Sequence, residues 1–163
     1  MKTKIEVSAG GIVYFSKEQS SSGRKKVLWL ICQHSQNKGW VFPKGLIGDK
    51  QKDEPMEQAA LREVEEEGGI KAKIIKPQPV KVAYKYQWNN SPHGGKDGEN
   101  ILVSKTVFYF LMEYISGDPK NHDWEMSDAK FVTKEEVSQM LSNKSDKDAF
   151  NKMLKMFKNL PST

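Results

Sequence analysis

Glu54-Pro55-Met56-Glu57-Gln58-Ala59-Ala60-Leu61-Arg62-Glu63-Val64-Glu65-Glu66-Glu67-Gly68-Gly69-Ile70 is the stretch on which the reading of the chain turns. Pro55 suits a first helical turn and Gly68-Gly69 a stop, so the spacing predicts a helix over roughly 55–67. Glu63, Glu66 and Glu67 then stand at i, i+3 and i+4 and share one face. A step of about 100° per residue brings Met56, Ala59 and Ala60 onto that face and sends Gln58, Arg62 and Glu65 to the opposite one. Three carboxylates therefore lie where an amphipathic helix buries apolar groups. Like charges at these spacings cost roughly 0.2–0.5 kcal/mol per pair even in water. Partial burial costs far more, and the C-terminal end of a helix dipole disfavours anions. A divalent cation removes these penalties together, and clustered carboxylates with a backbone carbonyl suit magnesium or manganese. A solvated acidic ridge is the competing reading, with Arg62 pairing with Glu66 at i+4. The face shared with Met56, Ala59 and Ala60 leans toward a site without deciding it.

Outward from this helix the chain alternates extended and polar segments. Residues 5–15 alternate loosely around Gly10-Gly11, which suggests a strand with a bulge or a close backbone approach. Residues 17–26 read as a hairpin loop and Val27 to Cys32 as a buried strand. Trp40-Val41-Phe42 leads into a turn at Pro43-Lys44-Gly45, followed by a polar loop over 48–53. Beyond the helix, 70–88 reads as extended, broken by Pro77 and Pro79. Residues 89–100 (NNSPHGGKDGEN) read as a loop, 101–115 as a long extended stretch and 129–132 as a short strand. Thr133-Lys134-Glu135-Glu136 fits a capping box. A last helix over about 146–159 carries an apolar stripe at Ala149, Phe150, Met153, Leu154 and Phe157. Strands on both sides of a central helix, with helices at the end, imply an α/β sandwich with a mixed sheet. No repeat or linker divides the chain, so one domain over 1–163 is expected, with its core in about 5–141.

The 163 residues are 37% apolar and 29% charged, which is a globular rather than a disordered composition. The net charge of +5 favours anionic partners but does not separate a small polyphosphate from RNA. The single cysteine, Cys32, excludes an intrachain disulfide and reads as a buried small hydrophobe. The opening Met1-Lys2-Thr3-Lys4-Ile5-Glu6 lacks a signal-peptide pattern and no segment approaches a membrane span, so a cytoplasmic setting without a membrane partner is expected.

Gly48, Glu54, Arg62-Glu63-Val64, Glu66-Glu67 and Gly69-Ile70 fill every fixed position of a long spaced pattern, and on these residues the chain resembles the Nudix hydrolase family. Ser8-Ala9-Gly10-Gly11 and Trp40-Val41-Phe42-Pro43-Lys44-Gly45 extend the resemblance. One departure is visible: many members place the box glycine directly after Pro-Lys, whereas here Gly45 holds that place and the box spacing selects Gly48. The resemblance implies an α/β/α sandwich and hydrolysis of a nucleoside diphosphate linked to another group. It implies Glu63, Glu66 and Glu67 as ligands of Mg²⁺ or Mn²⁺, with the carbonyl of Gly45 or Gly48 beside them. Arg62 would orient a box glutamate, with Glu54 as its partner, and Lys44 would approach the phosphates. The family's general base varies, leaving Glu66 in the box or Glu125 on a later loop.

Substrate choice has thinner support. The resemblance is strongest to the diadenosine polyphosphate hydrolase branch, whose members often carry a tyrosine at the distance of Tyr86 past the box. Tyr84 and Trp88 share the parity of Tyr86 on an extended strand, so the three could line one wall or pack on the core. His93 and Lys96 sit in a loop that could close over a polyphosphate. A small anionic nucleotide is the expected partner. A nucleoside triphosphate sanitiser and an RNA 5′-pyrophosphohydrolase are the alternatives, although no alternation of basic and aromatic residues marks a strand-tracking groove. A non-catalytic nucleotide-binding module is the alternative of another class; such modules usually lose the box carboxylates.

Overall fold

The computed structural model describes residues 2–18, 23–48, 50–89 and 98–161. The interior of the expected 89–100 loop, with His93 and Lys96, lies outside the described residues. The strands are β1 (Lys2–Glu18), β2 (Lys25–His34), β3 (Trp40–Val41), β4 (Lys44–Leu46), β5 (Ile70–Ile74), β6 (Val80–Asn89), β7 (Asn100–Gly117) and β8 (Met126–Val132). The helices are α1 (Met56–Gly68), α2 (Lys134–Met140) and α3 (Lys144–Lys158). A short 3₁₀ turn, Pro119–Asn121, precedes β8.

The strands form one mixed sheet with the order β3-β2-β1-β7-β5, while β4 pairs with β1, β6 with β7 and β8 with β2. β1 and β7 run parallel from Lys2↔Ile101 to Tyr14↔Glu113; the other pairings are antiparallel. This long parallel ladder extends β1 beyond the expected 5–15, because β7 supplies partners for its polar N-terminal residues. Gly10 sits against Pro43 and Lys44 with no room for a side chain, which is the close approach the double glycine suggested. Lys44 and Gly45, expected in a turn at Pro43-Lys44-Gly45, instead open the strand Lys44-Gly45-Leu46, in register with Gly10, Ala9 and Ser8.

Strand alternation sorts the core into two layers. Ala9, Val13, Leu30, Phe110 and Met112 face α1 and meet its Ala59, Ala60 and Val64. Ile12, Trp29, Ile31, Tyr109 and Leu111 point the other way and meet Val137 of α2 and Phe150 and Met153 of α3. The result is an α/β/α sandwich. The capping box of α2 is present, Thr133 Oγ1 accepting from the Glu136 N–H. Asn143 caps α3 by accepting from the Asp146 N–H, which starts that helix two residues earlier than its apolar stripe suggested. Cys32 is fully buried, and burial pushes its thiol well above the ordinary range. Among the described residues, no helix is long and apolar enough to cross a membrane.

Candidate active site

α1 is seated on the sheet by Ala59, Ala60 and Val64, and that seating turns Glu63 and Glu67 inward. Each is only 5% exposed. Glu66 stays at the surface of the same ridge, its side chain 36% exposed. Gly69 ends the helix at φ 74°, a left-handed conformation that disfavours side chains, and its N–H closes on the Glu65 carbonyl. Burial pushes the Glu67 carboxyl up to about 8, against the lowering effect of the Lys44 N–H, which donates to its Oε2 at 3.0 Å. Glu63 is also raised by burial, against the opposing pull of Arg62.

Arg62 corrects the helical-wheel expectation that placed it on the far face. Its backbone position is there, but the long side chain folds back over the ridge. Nε and Nη2 grip the two oxygens of Glu54 at 2.9 and 3.1 Å, and Nη1 reaches Glu63 at 2.8 Å and Glu66 at 3.2 Å. The bidentate bond from Arg62 holds the buried Glu54 below the usual carboxylate range. The guanidinium thus ties the loop before α1 to two of the three ridge carboxylates.

The two glycines divide the work. Gly45, on β4, faces α1, and a Cβ there would occupy the place of the Glu63 carboxylate. Gly48 has φ 80°, has open space around it, and hydrogen-bonds Glu54 through its backbone. Gly45 is therefore the glycine against the carboxylates, and Gly48 makes the turn that holds Glu54.

A polar cleft of about 240 Å³ opens over this ridge, lined by Lys44, Gly45, Glu63, Glu66, Glu67 and Glu125, with Glu6, Leu46, Lys50 and Lys105 completing it. A second chamber of about 270 Å³ shares Lys44, Glu67 and Lys105 and is walled by His34, Val41, Tyr84, Met126 and Asn143. A larger cavity of about 340 Å³ lies beside α3 near Trp29, Leu154 and Phe157 and shares no residue with either. It is mostly apolar, and the carboxylates place the chemistry in the smaller cleft instead. Tyr84 reaches the second chamber, half-buried, with its phenol pushed up to about 12 chiefly by burial. Tyr86 stands beside it at 6.2 Å between ring centres and donates to Glu6 at 3.4 Å, while Trp88 is 50% exposed farther along β6. Neither Tyr86 nor Trp88 lines the two chambers, so the expected three-residue wall reduces to Tyr84, because the strand runs outward past the cleft.

Four cleft residues escaped the sequence reading. Glu6 and Lys105 reach the site only through the register of β1 and β7; Lys50 follows a turn; His34 ends β2 half-buried. No local pattern marks any of them.

The donor set fits a hard divalent cation: two buried carboxylates, a third beside them, and a backbone cradle at Gly45 that a Cβ would fill. Among the described residues, no three acidic, histidine or cysteine side chains already converge as a cage, and Arg62 engages Glu63 and Glu66. Binding an ion would draw these carboxylates together.

Comparison with known proteins places this geometry. The chain is 28% identical over 142 residues to the protein designated MutT4 of Mycobacterium tuberculosis, covering 87% of this chain and spanning about half, 52%, of that relative. An Ap4A hydrolase of C. elegans, solved as a binary complex, superposes with a TM-score of 0.67 at 20% identity, covering 94% of this chain and 99% of that one. The NUDIX domain of Shewanella oneidensis NrtR, complexed with ADP ribose, gives a TM-score of 0.53 at 18% identity, covering 99% and 91%. At these identities the two structures speak to the fold alone. The family model of the NUDIX domain matches residues 6–154, which takes in the whole carboxylate ridge and both chambers, and the chain belongs to the Nudix family.

Proposed function

We propose that this protein is a divalent-metal-dependent pyrophosphohydrolase acting on a nucleoside diphosphate-linked substrate, with a diadenosine polyphosphate as the favoured one. The observation that carries the reading is the pair of chambers joined through Lys44 and Glu67: one acidic and sized for a phosphate, the next walled by Tyr84, His34 and Asn143 and suited to a base. Glu63, Glu66 and Glu67, with the Gly45 carbonyl, would hold Mg²⁺ or Mn²⁺. Bound there, the ion would neutralise phosphate charge and acidify a water.

The chain's own groups supply the rest. Arg62, anchored by Glu54, fixes Glu63 and Glu66 in direction. Lys44 presents its ammonium to phosphate oxygens between the chambers. Glu66 and Glu125 both border the cleft, exposed enough to take a proton from an attacking water and pass it to solvent. Tyr84 offers a ring to an adenine, and Tyr86 and Trp88 extend that aromatic line outward to where a second base would emerge. Presence of every box carboxylate weighs against a purely binding module.

A hydrolysis panel with magnesium tests the reading: diadenosine tetraphosphate, ADP-ribose, oxidised dGTP, diphosphoinositol phosphates and triphosphorylated RNA. Preference for diadenosine tetraphosphate is expected. Cleavage of ADP-ribose alone would overturn the role given to the aromatic line.

A further inference from the structure

Lys105 lies in a row that crosses three strands. Glu6 of β1, Lys105 of β7 and Tyr84 of β6 are register partners, so an acid, a cation and an aromatic stand side by side on one face of the sheet. Lys105 lines both chambers and is half-buried. Burial first, and the charge of Lys44 second, pull its ammonium below the ordinary lysine range. Among the described residues it makes no hydrogen bond or ion pair. Glu6, Glu67 and Asp146 pull the other way, but none forms a direct ion pair with it, so a half-buried cation remains whose desolvation an arriving anion relieves.

Its position relative to Lys44 adds direction. Lys44 is in register with Gly10 and Lys105 with Glu6, on opposite sides of β1. Four residues along a strand separate the two rows by about 13 Å. The residue between those rows on the same face is Ser8, fully buried, whose hydroxyl has no partner among the described residues. Two cations reaching inward from either side of a polar floor form a track longer than one phosphate.

We infer that Lys105 is a second cationic grip on the polyphosphate chain and selects substrates by chain length, Lys44 holding the phosphates next to the carboxylates and Lys105 those nearer the Tyr84 chamber. This rests on the pyrophosphohydrolase reading above. A substrate with two phosphates would engage Lys44 and leave Lys105 idle; a longer chain would engage both.

The test compares kcat/KM for the parent, Lys105→Met and Lys105→Arg on ADP-ribose and on diadenosine tri-, tetra- and pentaphosphate with magnesium. Lys105→Met is expected to lose about tenfold to hundredfold on the tetra- and pentaphosphate, as for a lost charge-assisted bond, and less than about threefold on ADP-ribose. Lys105→Arg should recover most of the loss. An equal loss along the whole ladder, or none, overturns the inference. Calorimetric titration with magnesium and inorganic pyrophosphate or tripolyphosphate reads Lys105 independently of turnover. The parent should prefer tripolyphosphate and Lys105→Met should not; the same preference in both overturns the inference. Absence of any nucleotide hydrolysis, with that preference still lost in Lys105→Met, would count against the enzyme reading and uphold the role of Lys105. Matching thermal unfolding of the variants excludes a folding defect.

Discussion

α1 and α3 lie on opposite faces of one sheet, and each buries carboxylate, but the two helices treat it in opposite ways. Asp146 of α3 is 2% exposed and sits in the first turn, where the helix dipole favours an anion. Its Oδ1 accepts from the Tyr109 hydroxyl at 2.7 Å and its Oδ2 from Asn143 at 3.4 Å. Below it Ala149, Phe150 and Met153 make an uninterrupted apolar contact, and Lys155 and Lys158 close the last turn. In α1 the acids crowd the last turn, where the dipole disfavours them, with no basic residue there. Glu67 has one backbone donor, and its burial raises its proton affinity. A buried acid satisfied by its own fold is structural; one left short of positive charge and facing a cleft is poised for a ligand.

Substitutions sharpen that contrast. Phe150→Ala should cost about 3–5 kcal/mol of stability, seen by denaturant unfolding, while the folded fraction keeps its hydrolytic rate. Glu67→Gln should do the reverse: it should reduce hydrolysis at least about a hundredfold in steady-state assays and leave metal-free unfolding unchanged or improved. Asp146→Ala should strand the buried Tyr109 hydroxyl and cost about 1–3 kcal/mol, with a far smaller effect on hydrolysis than Glu67→Gln.

A pH dependence completes the contrast. Glu67 titrates at about 8 in the fold against an ordinary 4.5. Between those values the folded state keeps a proton that the unfolded state has released, so stability falls as pH rises and levels off above about 8. In a chelator the melting temperature should drop between pH 5 and pH 8, by about 2–4 °C for each kcal/mol in a chain of this size. Glu67→Gln should flatten the curve. An equally steep curve in that variant would place the effect elsewhere.

The sequence revealed what depends on local spacing and hid what depends on register. The carboxylate ridge, the Gly69 stop, the capping box at Thr133 and the stripe of α3 all follow from residues within a few turns of one another. The partnership of Arg62 with Glu54 came from the family resemblance, while the reach of Arg62 over the ridge depends on a flexible side chain that a helical wheel does not contain. β4 was hidden because Lys44-Gly45-Leu46 carries turn residues and is made a strand only by its pairing with β1. Lys105 and Glu6 look like ordinary surface charges until the parallel β1–β7 ladder sets them beside Tyr84. Trp88 stands farther from the cleft than Tyr84 for a related reason: strand parity states a face, but not how far along the strand the cleft extends.

Isothermal titration of the nucleotide-free protein with Mg²⁺ or Mn²⁺ near pH 7, in buffers of different ionisation enthalpy, bears most directly on the claim that the α1 ridge is a cation site. The account predicts saturable uptake accompanied by proton release as Glu67 gives up its proton, with both abolished or strongly weakened in Glu67→Gln. No uptake, or identical uptake and proton release in the parent and Glu67→Gln, would contradict it.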